Sequence, residues 1–285
     1  MSETVSHGTA HEDSIANHLE YWVYKIDESN AFMQIHLDTV IVTLSIAALM
    51  VGFSLWLRGN IVAGAPTGTQ NFVESVVDFV NTTVKDNFPV HNPMIAPLAL
   101  TVFVFILLCN CVDILPAHLL GSIAHALGAP HFRPVPTNDL NLPAAMALSV
   151  FALVLYYEFK LKPVHFCKEL VFEPFASLLL VSSNPLVKFL GVLIIPVNLT
   201  LKLVEEIAKP LSLSFRLFGN MFAGEVIFLL IASLLLGSGA MGMAVGFFVG
   251  LGWSFFHLFI GLLQAFIFMI LTVVYLSIAH QPVEH

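Results

Sequence analysis

The sequence predicts an all-α polytopic membrane protein with about five membrane-crossing helices, one interfacial amphipathic helix and a long, steeply tilted C-terminal helical hairpin. Three observations carry this reading. The 285 residues are 58% hydrophobic and only 11% charged, more apolar surface than a soluble core of that length can hide. Mean hydropathy is +0.88, and the apolar residues gather into runs long enough to span the ~30 Å hydrocarbon layer. The last two runs, 197–235 and 241–279, each reach about 39 residues, which at about 1.5 Å per residue is nearly twice that thickness.

Residues 1–37 are polar and acidic and lack a basic stretch followed by a short apolar core, so a cleavable signal peptide is not expected. His7 and His11 share a helical spacing, but a solvated tail explains them more simply than a metal site. Residues 39–57, 97–115 and 142–159 read as three ordinary spans. Between the first two, residues 70–88 mix Phe72, Val73, Val76, Val77, Val80 and Val84 with Glu74, Asp78 and Lys85, as an interfacial amphipathic helix does. Residues 121–141, with Pro130, Pro134, Pro136 and Asn138, read as an extramembrane loop. The two long runs either lie obliquely, at a tilt of roughly 60°, or break, with Pro210 an obvious place for a bend. Gly246 and Gly250 would let the second run approach a neighbour closely. The chain thus divides into an N-terminal segment at 1–37, three spans with the interfacial helix at 38–188, and the hairpin at 189–285.

Charge sets orientation and excludes a class of partner. Arg58, Lys85, Lys160, Lys162, Lys168 and Lys188 fall on one side of the spans, and Lys25 and Arg133 on the other, which puts the N-terminus outside and the C-terminus in the cytoplasm. A net charge of −8 gives nucleic-acid binding no support. Cys109, Cys111 and Cys167 have neither metal-site nor disulfide spacing and read as free thiols.

Arg216 is the residue that points to function. A cation at the centre of an apolar span costs roughly 2.5–3.5 kcal/mol on insertion scales, and such residues face a protein interior or a water path. Its setting, Arg216-Leu-Phe-Gly-Asn220-Met-Phe-Ala-Gly-Glu225, resembles the signature of subunit a of rotary F-type ATP synthases. Asn110-Cys-Val-Asp113-Ile-Leu-Pro116, Pro136-Thr-Asn-Asp139-Leu-Asn141, Pro196-Val-Asn198 and Gln264-Ala-Phe-Ile-Phe-Met resemble further family landmarks in the same order, covering about 97–279.

That resemblance implies a stator subunit of the Fo sector, without nucleotide chemistry, cofactor or metal of its own. It implies an oblique hairpin curving along an oligomeric c-ring, with the b subunit of the peripheral stalk, the remaining synthase and membrane lipid as partners, in the bacterial inner membrane. Arg216 then faces the ring carboxylate, and Glu225 and His257 belong to the external half-channel. A guanidinium stays charged and forks onto carboxylates. At about 4 Å and an effective dielectric near ~20 the attraction is roughly 4 kcal/mol, which favours the ionised acid by about three orders of magnitude. The same resemblance implies an acid where Lys202 stands, a departure from the pattern that leaves Glu205 as the preferred lining of the inner half-channel. Ion choice lies largely in the ring site, with the proton expected over sodium.

Helical geometry sorts the remaining polar residues. At about 100° per residue, Glu205, Lys209, Ser212 and Asn220 fall within about 40° of Arg216, while Glu225 points about 180° away. Glu205 and Lys209 could also be a simple helix pair. His257, Gly261, Gln264, Phe268 and Tyr275 share a face of the second helix. Pivoting the hairpin at Ser238 sets His257 level with Gly219 and Gln264 level with Ser212, so that His257 falls between Glu225 and Arg216. Glu and His exchange protons near working pH, and Asn220 and Gln264 can orient water. His257 and Gln264 could equally be interhelical hydrogen-bond partners, and Tyr275 reads as packing. Asn110, Asp113 and Asp139 either line the outer vestibule or anchor an interface. An independent ion-coupled secondary transporter is the alternative function, but no inverted repeat is visible. An intramembrane enzyme lacks any H-E-x-x-H, nucleophile-elbow or P-loop pattern.

Overall fold

The computed structural model describes residues 23–25, 34–62, 64–66, 68–90, 92–112, 135–172, 185–236 and 239–281. His7, His11, Asp113, Arg133 and most of the 121–141 loop lie outside them. The described chain is helical: α1 (Leu37–Asn60), α2 (Thr69–Asn87), α3 (Ile95–Cys111), α4 (Asn141–Leu161), α5 (Pro163–Phe172), α6 (Pro185–Leu236) and α7 (Gly239–His280). A single 3-10 turn at Pro136–Asn138 precedes α4. One short antiparallel ribbon, β1 (Val23–Lys25) with β2 (Gln34–His36), departs from the expected polar tail; Val23 pairs with His36 and Lys25 with Gln34. Its cause is local, since the β-favouring run Trp22, Val23 and Tyr24 sits within an otherwise polar stretch.

Among the described residues four helices are long and apolar enough to cross a membrane, and α3 adds a shorter apolar helix of 17 residues. Seventeen residues is at the short end of what spans a bilayer. Lipid-facing composition is plainest on α1, where Leu44, Leu49, Leu55 and Trp56 are exposed and only Asp38, Thr39 and Ile46 are buried. Such a surface is stable in hydrocarbon and aggregates in water.

α2 is the amphipathic helix of the sequence reading, extending over 19 residues from Gly68, whose φ of 58° suits glycine. Val80 and Val84, one turn apart, are buried, and Phe79 packs its ring 6.1 Å from Phe103 and 5.6 Å from Phe266. On α4 the buried face is Pro143, Ala147, Val150, Val154 and Tyr157, the three-and-four spacing of a helix packed on one side.

The two long runs do not break. α6 continues for 52 residues through Pro196 and Pro210, and α7 for 42. At about 1.5 Å per residue they measure ~78 and ~63 Å, so within a ~30 Å layer they lie obliquely or project from it. α6 begins well before the expected start because Pro196 is carried inside the helix. Gly239, at φ 69°, opens α7 after the turn.

The chain divides into two compact units, each assembled from three separate stretches: unit 1 from Met1–Val62, Phe105–Asp139 and Met221–Leu262, unit 2 from Ala63–Val104, Leu140–Asn220 and Leu263–His285. Unit 2 has an apolar core that includes Ile95, Leu213, Leu217, Phe268, Met269 and Leu276. Unit 1 buries an unusual share of polar groups, among them Asp38, Thr39, Asn110, Thr137, Asp139 and His257. Buried polar groups must be hydrogen-bonded to be tolerated.

Candidate functional site

In unit 1 the polar residues form two linked sets. Asp139, 3% exposed, accepts hydrogen bonds from the Thr39 hydroxyl at 2.8 Å and pairs with His36 Nδ1 at 2.7 Å. The Thr39 backbone N–H donates to Asp38 at 2.8 Å. The first turn of α1 is therefore fastened to the segment preceding α4. Asn110 donates through Nδ2 to the Gly261 carbonyl of α7 at 3.0 Å and accepts from the Thr137 hydroxyl at 3.0 Å. Gly261 allows this approach, since a Cβ there would stand 3.2 Å from that of Asn110.

The second set surrounds His257. Its ring is buried against Gly224, where any side chain would overlap the imidazole. Phe228 lies edge-on with its ring centroid 5.8 Å from that of His257, and Trp253 is 6.4 Å away. Trp253 donates its indole N–H to the Gly224 carbonyl at 3.4 Å. Glu225, the residue after Gly224, is half-buried. The structure thus sets His257 level with Gly224, not with Gly219 as symmetric counting from Ser238 expects.

The same correction applies to Gln264, which meets Asn220 and not the level of Ser212: the Asn220 amide donates to Gln264 Oε1 at 2.6 Å in unit 2. Counting from the turn fails for a physical reason. Side chains on antiparallel helices each lean toward their own N-terminus, and close approach occurs where glycines such as Gly224 and Gly261 admit a neighbour.

Arg216 also belongs to unit 2. It is exposed, with Leu213 and Leu217 buried on the adjoining face of α6 and Phe215 half exposed beside it. Among the described residues no carboxylate forms an ion pair with it, so none of them supplies the acidic partner that the sequence demands. Ser212 and Glu205 are exposed as well.

Further along α6 is an ionic cluster. Lys202 Nζ stands 2.8 Å from Glu169, 3.3 Å from Glu205 and 4.0 Å from Glu206. Lys209 pairs with Glu206 at 2.6 Å and not with Glu205, correcting the helix pair considered from sequence. Glu206 is 5% exposed whereas Glu205 is exposed to solvent, and attraction to a buried carboxylate is screened far less.

The sequence profile of the family described as ATP synthase A chain matches residues 39–277. The chain belongs to the ATP synthase A chain family. It is similar to ATP synthase subunit a of Marinobacter nauticus, at 43% identity over 251 residues, covering 88% of this chain and 81% of the relative. The subunit a of Shewanella frigidimarina is 40% identical over 274 residues, covering 96% of this chain and 98% of its own. That of Pseudomonas putida is 42% identical over 281 residues, covering 97% and 90%. The family match takes in Arg216, Glu225, His257, Gln264 and Asn220, and stops short of His36 and His280.

Several residues of this family member escape a sequence reading. Gly224 gives no hint of the imidazole it must accommodate, and Trp253 reads as a membrane aromatic. His36 and Thr39 are about a hundred positions from the Asp139 they hold. Glu206 alone carried a usable signal, being an acid in an apolar helix three residues before Lys209.

Proposed function

We propose that this bacterial membrane protein is the Fo stator subunit that carries protons to and from the c-ring, coupling proton flow to rotation and ATP synthesis. The observation that supports it best is Arg216, a permanent cation exposed on α6 among apolar side chains and without an ion-pair partner among the described residues. Its cost in hydrocarbon is offset only by a partner from another subunit, and a ring carboxylate is that partner. Glu225 and His257 serve the half-channel from outside, with Asn220 and Gln264 orienting water between titratable groups; Asn110, Asp113 and Asp139 shape its approach. Glu205 and Ser212 line the half-channel on the other side. Residues 189–285 face the ring, the b subunit of the peripheral stalk and lipid cover other surfaces, and the N-terminus lies outside the inner membrane.

Arg216 acts twice. As a ring carboxyl arrives, the guanidinium favours its ionised form and so drives proton release. Standing between two water paths, the fixed cation repels a proton that would otherwise pass directly from one to the other. ATP is made elsewhere in the complex.

Cysteine chemistry tests the assignment. Cysteines replacing Leu211 or Phe215, both half exposed beside Arg216, cross-link to a small ring subunit, and the chain co-purifies with an oligomeric ring and a soluble ATPase head. Purification of an active transporter with no ring attached would refute the reading.

A further inference from the structure

We propose that Glu206, acting with Glu158 of α4, is the proton-exchanging group of the inner half-channel; this rests on the stator reading above. Glu206 is 5% exposed, and its two oxygens differ. Oε1 is held by Lys209 Nζ at 2.6 Å, with Lys202 Nζ at 4.0 Å, whereas Oε2 is buried and accepts no hydrogen bond. Glu158, on α4, repeats the pattern: its Oε2 is buried without a partner.

A buried carboxylate oxygen without a donor is costly, and Glu206 and Glu158 each carry one. A proton on such an oxygen turns it into an O–H donor. The backbone adds an opening at the same point, because Pro210 has no N–H to bond the Glu206 carbonyl one turn earlier. Lys209 fixes Oε1 and leaves Oε2 to exchange. In each cycle Oε2 takes a proton released from the ring acid through water, an O–H bond forms, and the same proton passes to Glu158 or to water as the carboxylate returns. The O–H bond of the ring acid breaks as the proton leaves, that of Glu206 forms and then breaks, and the proton ends on Glu158 or water with no electrons exchanged. Glu205, exposed and turned to Lys202, is the entry-side neighbour of this relay.

The test uses the whole complex in vesicles, with proton-driven ATP synthesis and infrared difference spectra recorded as the pH on the inner side is stepped, using isotope-labelled glutamate. Glu206→Gln keeps volume and removes the exchangeable proton; synthesis falls roughly tenfold or more, and a protonated-carboxyl band disappears. Glu158→Gln weakens synthesis too, and the double variant is no worse than the stronger single, as for two members of one relay. Near-normal synthesis by Glu206→Gln, while Arg216→Ala abolishes it, overturns this inference and leaves the stator reading standing; near-normal synthesis by both sinks the stator reading first. If Glu206→Gln does not assemble, Glu206→Asp carries the test: the carboxyl band must shift, and an unchanged spectrum overturns the proposal.

Discussion

At the scale of single residues, burial and hydrogen-bond direction decide what each polar group does. Gly224 shows how two effects compete: Gly→Ala inside a helix gains up to about 1 kcal/mol, but overpacking costs roughly 1–3 kcal/mol. Because a Cβ at 224 would overlap the His257 ring, overpacking wins. Gly224→Ala is therefore expected to destabilise the assembled subunit and slow proton-driven synthesis severalfold, whereas Gly52→Ala, with open space around it, is neutral or stabilising; thermal unfolding and synthesis rates of the two variants check this. Asn110→Ala leaves the Thr137 hydroxyl without its acceptor and the Gly261 carbonyl without its donor, a loss of about 1–3 kcal/mol visible as a lower unfolding temperature. Asn110 and Asp139 stood out in the sequence, but whether they hold segments or line water was open there. Their partners, Gly261 at 151 positions and Thr39 at 100, are set by tertiary folding alone.

At the scale of elements, periodicity served well where a helix has one buried face. The amphipathic α2 and the spans α1, α3 and α4 lie within a few residues of their expected bounds, because apolar run length and charge are local properties. The hairpin was legible in length but not in register. Run length cannot see that Gly224 receives an imidazole, and Pro210 marks a place for a bend although α6 continues through it and through Pro196. The register makes a direct prediction: cysteines at positions 220 and 264 bridge readily with a short reagent, and cysteines at 212 and 264 do not. The reverse pattern in membranes would show that α7 is shifted by about two turns along α6. The β1–β2 ribbon was missed because three-residue strands carry too little pattern to rise above a polar tail.

At the scale of the whole molecule, apolar surface and buried polar groups are kept apart. Among the described residues, four long apolar helices and one shorter one expose leucine, valine and phenylalanine, while unit 1 buries polar side chains and unit 2 holds an ionic cluster. Among the described residues, Arg216 stands out as an exposed cation within an apolar stretch of α6. The two duties proposed for it, favouring the ionised ring carboxyl and blocking direct passage, separate in two substitutions. Arg216→Lys keeps the charge but loses the planar fork, and is expected to abolish proton-driven synthesis despite normal assembly. Arg216→Ala removes the barrier as well. The most direct measurement of the central claim is ATP synthesis recorded together with passive proton flux in vesicles containing the assembled Arg216→Ala complex: lost synthesis with raised proton leak is the result predicted here, and near-normal synthesis with no added leak would contradict it.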